Sequence, residues 1–152
     1  VNTDGSGAYG RYQLRRAILI DAGWLENVKG EKWTAKARQN GITSYNDLLK
    51  NPPAQEAAMT DAMKEYERKA VKLGLLARVG QTIQGLKGPF QVTEAGIIAA
   101  SHRGGSSGVA NYFRRLDATG GDSRAATLGD RDIEIETRLR TFATVPYQRF
   151  NP

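Results

Sequence analysis

Between Thr93 and the glycine pair Gly104-Gly105 lies a segment, Ala95 to Ser101, that is apolar on every side. A helix at a protein surface keeps one polar face for water. A segment without such a face folds stably only when it is enclosed. Thr93 is a suitable N-cap and the glycine pair a natural stop, which predicts a short, buried central helix. The rest of the chain must then supply the layers that cover it.

The flanking segments read as short helices with irregular connections. Val1 to Tyr12 is rich in Gly, Ser, Asn and Asp and is expected to be a turn-forming loop. Leu14, Ala17, Ile18 and Ala22 recur at helical spacing, predicting a helix from Tyr12 to Ala22 that Gly23 stops. Trp24 to Ile42 shows no sustained period and is expected to be irregular, with a short helix around Trp33 to Arg38. Ser44-Tyr45-Asn46-Asp47 is a capping-box variant that opens another short helix ending by Asn51. Asn51 and Pro52 then start the clearest helix, with Met59, Ala62, Met63, Tyr66, Ala70 and Leu73 as its apolar stripe and Gly74 as its end. Glycines at 80, 85 and 88 break Leu75 to Pro89 into expected helical pieces and a turn. Ser106 or Ser107 begins a helix carrying Val109, Tyr112, Phe113 and Leu116, and Asp117 to Gly129 is expected to be loop. Asp132 to Ile135 alternates like a strand, yet Ile135, Leu139 and Phe142 have helical spacing. With no strand partner expected elsewhere, helix is the prediction. The fold class is mainly α: one domain over residues 1–144, made of many short helices around the buried one, and a surface tail over 145–152.

Composition narrows function by exclusion. At 152 residues, two full domains of roughly 100 residues each do not fit. No apolar run approaches the roughly 18 residues of a membrane-spanning helix. With no cysteine and one histidine, disulfide scaffolds, cysteine-ligated metals and His-rich metal sites are excluded, and neither a metal nor a cofactor is expected. Lysine and arginine number 22 against 16 acids, a net charge of +6, which points to an anionic partner. Nucleic acid, an anionic membrane face and a carboxylate-bearing wall polymer all qualify. The chain lacks a recognition-helix pattern and any aromatic–basic RNA motif, so no specific nucleic-acid partner is expected. Among the acids, Glu65 and Glu67 read as part of a solvated face with Lys64, Arg68 and Lys69. Asp130, Asp132, Glu134 and Glu136 read as an acidic helix start without EF-hand spacing. Arg11, Arg15 and Arg16 form the densest basic patch.

Two segments depart from ordinary helical sequence. Gly7-Ala8-Tyr9-Gly10-Arg11-Tyr12-Gln13 combines glycines, which let a backbone approach a ligand closely, with flat rings and an amide. That combination suits sugars; equally, the tyrosines could pack as core behind a glycine-rich lead-in. Ile98 to Gly105 sets the sole histidine, His102, after Ser101 at the end of the most apolar helix. Cations favour helix C-termini, so a purely structural role accounts for His102 and Arg103 as well.

Taken in order, the glycine turn ending in Gln13, the Asn51-Pro52-Pro53-Ala54-Gln55-Glu56 helix start and the Ala99-Ala100-Ser101-His102-Arg103-Gly104-Gly105-Ser106-Ser107-Gly108-Val109 run resemble the lysozyme-like superfamily. Within it the chain is similar to peptidoglycan lytic transglycosylases, goose-type lysozymes and phage-associated muramidase-like domains. The resemblance implies a lysozyme-like fold and cleavage of the β-1,4 bond between N-acetylmuramic acid and N-acetylglucosamine. It implies Tyr9, Gly10, Tyr12, Gln13, Ser101 and His102 as sugar-positioning residues. Its partners are peptidoglycan glycan strands and other tail or virion proteins, and its location is the virion or the exported side of a bacterium, at the wall or periplasm. In such families one glutamic acid, in a Glu-Ser-Gly-like motif shortly before the glycine turn, protonates the leaving oxygen. Counting back from Gly7 places that motif ahead of Val1, and no glutamate precedes Glu26. Val1 is not a methionine and no signal segment follows it, so the catalytic acid is expected upstream of these residues. The alternative is a structural or wall-binding relative with lost or secondary activity.

Overall fold

The computed structural model describes residues 14–150 and the backbone of Ala8-Tyr9. Gly7, Gly10, Arg11, Tyr12 and Gln13 of the glycine turn lie outside the described residues, as does the side chain of Tyr9. Among the described residues there are seven α-helices and two small antiparallel sheets, so the chain is mainly α. Cα packing divides it into two compact units, Val1–Glu65 and Tyr66–Pro152, and the boundary falls within one helix.

In the first unit, β1 (Ala8–Tyr9) pairs with β2 (Leu14–Arg15), with Tyr9 opposite Leu14. The helix expected from Tyr12 is therefore shorter. Leu14 and Arg15 are extended and paired, and α1 spans Arg16–Asp21. Its inward residues are Ile18 and Leu19, with Leu14 and Ala22 beside it in the chain, whereas Ala17 faces water. Gly23, at φ 81°, stops it where a side chain would be strained. The connection to Ile42 holds α2 (Ala35–Gln39), capped by the Thr34 hydroxyl, which accepts from the Ala37 N–H. Ser44 caps α3 (Tyr45–Leu49) in the same way, accepting from Asp47 N–H. Trp24 and Trp33 are both buried; the indole N–H of Trp24 donates to Asp61 at 2.7 Å and that of Trp33 to Glu31 at 2.8 Å.

Helix α4 (Pro52–Lys72) starts as expected, with the Asn51 side chain accepting from Ala54 N–H and Pro52 in the first turn. Its buried stripe is narrower and smaller than predicted. Ala54, Ala58, Ala62, Tyr66 and Ala70 are buried, Met59 and Met63 are only partly covered, and Leu73 is exposed. Gly74 ends the helix in the left-handed conformation.

The second unit is built on α5 (Glu94–Gly104), the central helix, capped by the Thr93 hydroxyl. Ala95 to Ile98, Ala100 and Ser101 are buried, as the apolar character of the segment requires. Helices α6 (Ser106–Asp117) and α7 (Asp130–Thr141) pack on it, with Val109, Tyr112, Phe113, Leu116, Ile135 and Leu139 buried in a common core. Two glycines set the close approach of α7. A Cβ on Gly96 would lie 3.0 Å from the Leu139 carbonyl, and one on Gly104 would lie 2.9 Å from Ile135. The final segment is a helix, as expected.

Leu75 to Pro89 is the main correction. After one 3-10 turn (Leu75–Arg78) the chain forms a hairpin, β3 (Thr82–Gly85) against β4 (Gly88–Gln91), with Leu86-Lys87 at its tip. Ile83, Phe90 and Val92 are buried, while Thr82, Gln84 and Gln91 face outward. This is a half-buried hairpin pattern that the glycines obscure. Strand pairing thus exists in the chain, contrary to the expectation, although α7 does not take part in it. The hairpin is extended by a parallel bridge from Gln84 to Asp122.

Candidate functional site

The described half of the expected sugar site is the corner where α5 passes into α6. Ser101 is 1% exposed and its hydroxyl donates to the Ile97 carbonyl at 2.8 Å, one turn back on the same helix. A hydroxyl so enclosed does not reach a ligand at the surface. The structure thus places Ser101 inside the packing of α5, bonded within its own helix. His102, the next residue, is half-buried. Its ring meets that of Tyr66 edge-on, with centroids 6.0 Å apart and planes at 77°. Tyr66, from the second half of α4, was legible only as part of an apolar stripe; here it fixes the face that His102 presents. His102 Nδ1, Tyr66 Oη and Ser106 Oγ are all shielded from water at this corner. The next two side chains are held away from it or absent, since Arg103 pairs with Glu134 at 3.2 Å and Gly104 lies against Ile135.

The other expected residues, Tyr9, Gly10, Tyr12 and Gln13, fall outside the described side chains. What the structure adds is the backbone pairing of Ala8-Tyr9 with Leu14-Arg15, which brackets Gly10 to Gln13. Helix α3 packs beside β1. Of the basic patch, Arg16 donates to the Val28 carbonyl and to Tyr45 Oη, so it is tied to its own unit.

Three acids, Glu67 of the expected solvated face and Asp132 and Glu136 of the expected acidic helix start, are buried, at 5%, 5% and 3% exposure. A buried carboxylate needs donors to replace water, and each has them. Glu136 accepts from Tyr112 O–H at 2.7 Å and from Leu86 N–H at 2.8 Å. Burial, and then this carboxylate, push the Tyr112 phenol far above its ordinary value. Asp132 accepts from Arg115 at 2.7 Å and from Gly129 N–H at 3.0 Å, which caps α7. Glu67 accepts from Tyr147 O–H and from Phe150 N–H. Burial also raises the Tyr147 phenol, and Glu67 adds to this. The signal for Glu67 is its place on α4, between Tyr66 and Ala70 at the border of the buried stripe. Among the described residues, no three Asp, Glu or His side chains converge as metal ligands would. No helix there is long and apolar enough to cross a membrane.

Comparison of the chain with protein-family models, with curated proteins and with solved structures finds no match.

Proposed function

We propose that this chain belongs to a lysozyme-like peptidoglycan glycosidase, which cleaves the β-1,4 bond between N-acetylmuramic acid and N-acetylglucosamine. The observation that carries the reading is the ordered set of three motifs in the sequence. The buried helix α5 supports it, ending at His102-Arg103-Gly104-Gly105 with the histidine ring braced by Tyr66. The chemistry needs a carboxylic acid kept protonated in a partly apolar pocket to donate to the leaving oxygen. The three buried acids of the second unit are engaged by donors of the fold, so none of them is assigned that task. The resemblance assigns that task to a glutamate shortly before the glycine turn. His102, Tyr9, Tyr12 and Gln13 position the glycan, whose acetamido group assists in place of a second carboxylate. Other virion or tail proteins are the proposed assembly partners, and the bacterial wall is the place of action.

The test uses the natural protein with its upstream sequence on purified sacculi. Soluble muropeptides are expected, and replacing the upstream glutamate by glutamine is expected to remove them, while His102→Ala lowers release at least about tenfold with the fold retained. Release that survives the glutamine replacement would overturn the mechanism. Retention on sacculi without release favours the wall-binding alternative.

A further inference from the structure

The chain's tail returns across the second unit to the seam between α4 and α5. In this unit α5 packs chiefly on α6 and α7, and its backbone makes far fewer close approaches to α4. At the seam lies a cavity of about 290 Å³, lined from α4 by Glu67, Arg68 and Val71 and from α5 by Glu94 and Ile98. The tail spans it. Tyr147 O–H and Phe150 N–H donate to the same oxygen of Glu67, the second at 2.8 Å, and Arg149 Nε donates to Glu94 at 2.6 Å. Four consecutive residues thus hold α4 with one set of bonds and α5 with another.

We propose that residues 147–150 are a clasp that holds α4 on α5 and so fixes the Tyr66 ring against His102, which makes Tyr147 and Arg149 positioning residues for the histidine of the candidate site. Glu67 is 5% exposed, and a carboxylate so placed is tolerated only while donors replace its water. The tail supplies a phenol O–H and a backbone N–H to it. With the tail withdrawn, Glu67 regains water by a turn of α4 toward solvent, and the void at the seam gives room that a filled core denies. Tyr66 is the adjoining residue on the helix, so the turn that frees Glu67 carries its ring along. That ring is 2% exposed and meets His102 edge-on, with centroids 6.0 Å apart. On the other side of the seam, Glu94, Ile98 and His102 succeed one another at four-residue steps along α5. The tail therefore grips the face of α5 that carries the histidine about two turns further on. What His102 binds rests on the glycan reading; the clasp itself does not.

The experiment is proton NMR of the full chain, in which His102 is the sole histidine and its ring protons form one identifiable set. In wild type a nuclear Overhauser effect joins the rings of Tyr66 and His102. In the chain carrying Tyr147→Phe and Arg149→Ala this cross-peak is expected to be lost, with the His102 ring protons shifted toward free-imidazole positions. Arg149→Lys keeps an ion pair with Glu94 and is expected to hold both readouts at wild-type values. Ser44→Ala removes the cap of α3 and lowers stability without touching the tail, and is expected to leave the His102 signals in place. The proposal is overturned by a folded double variant whose His102 signals do not move, and equally by Ser44→Ala moving them as far, since that is general loosening. Tyr147→Phe alone keeps the ring and removes one donor, and serves if the double variant does not fold; unmoved His102 signals there overturn the proposal too. None of these signals depends on activity, so failure of the glycan reading and failure of the clasp are told apart.

Discussion

Tyr112 and Glu136 show what a single pair does at the residue scale. Both are buried, and the phenol donates to the carboxylate at 2.7 Å. Tyr112→Phe leaves Glu136 with one donor fewer in a place water does not reach, and is expected to cost about 2 kcal/mol in chemical denaturation. The same pair sets an alkaline limit. The folded phenol is raised above its ordinary value of 10.0, so its contribution is complete below that value. As pH rises further the unfolded tyrosine ionises while the folded one does not, and stability falls. Tyr112→Phe is expected to flatten that alkaline fall. Residues of this kind were the least legible in the sequence. Glu136 reads only as part of a dipole-favoured acidic helix start because its second donor, Leu86, stands 50 positions away. Glu67 reads as solvated because Tyr147 is 80 positions away. Local pattern reports a residue's neighbours in the chain, and burial of a charge is decided by neighbours in space.

Elements were legible where capping and periodicity agreed. Ser44, Asn51 and Thr93 each accept the N–H bond that their position predicts. The hairpin β3–β4 was missed because glycines at 85 and 88 read as helix breakers, although they serve as turn residues around Leu86-Lys87. Helix α5 carries its own exception to propensity. Alanine in place of a helical glycine ordinarily gains about 1 kcal/mol. At Gly96 the added Cβ meets backbone atoms of Leu139 at 3.0 and 3.3 Å, which cannot swing aside as a flexible side chain would. Gly96→Ala is therefore expected to lower stability by about 1–3 kcal/mol, read from the midpoint of thermal or urea unfolding. A neutral or stabilising result would show that α7 shifts to make room.

For the whole molecule, the mainly helical class and the buried central helix were legible, and the division into two compact units within α4 was not. A continuous helix leaves no glycine or proline punctuation at Glu65-Tyr66 for the sequence to show. Of the expected sugar site, the α5–α6 corner is described. There the enclosure of Ser101 was not legible, since a hydroxyl ending an apolar run can serve the helix or a ligand equally well. The charge of +6 acts at this scale too. If the partner is an acidic glycan, retention on sacculi is expected to weaken steadily as salt rises from about 0.05 to 0.5 M, because exposed charges are screened over shorter distances. Retention that is indifferent to salt would remove charge from the account of wall binding.

The two tryptophans have an optical consequence. Both Trp24 and Trp33 are buried in Val1–Glu65, and Tyr66–Pro152 contains none. Intrinsic emission excited at the red edge is therefore a private reporter of the first unit. The second unit, with the central helix, is dark at that wavelength. A single tryptophan introduced at exposed Val71 would make that unit visible against a background whose origin is already known.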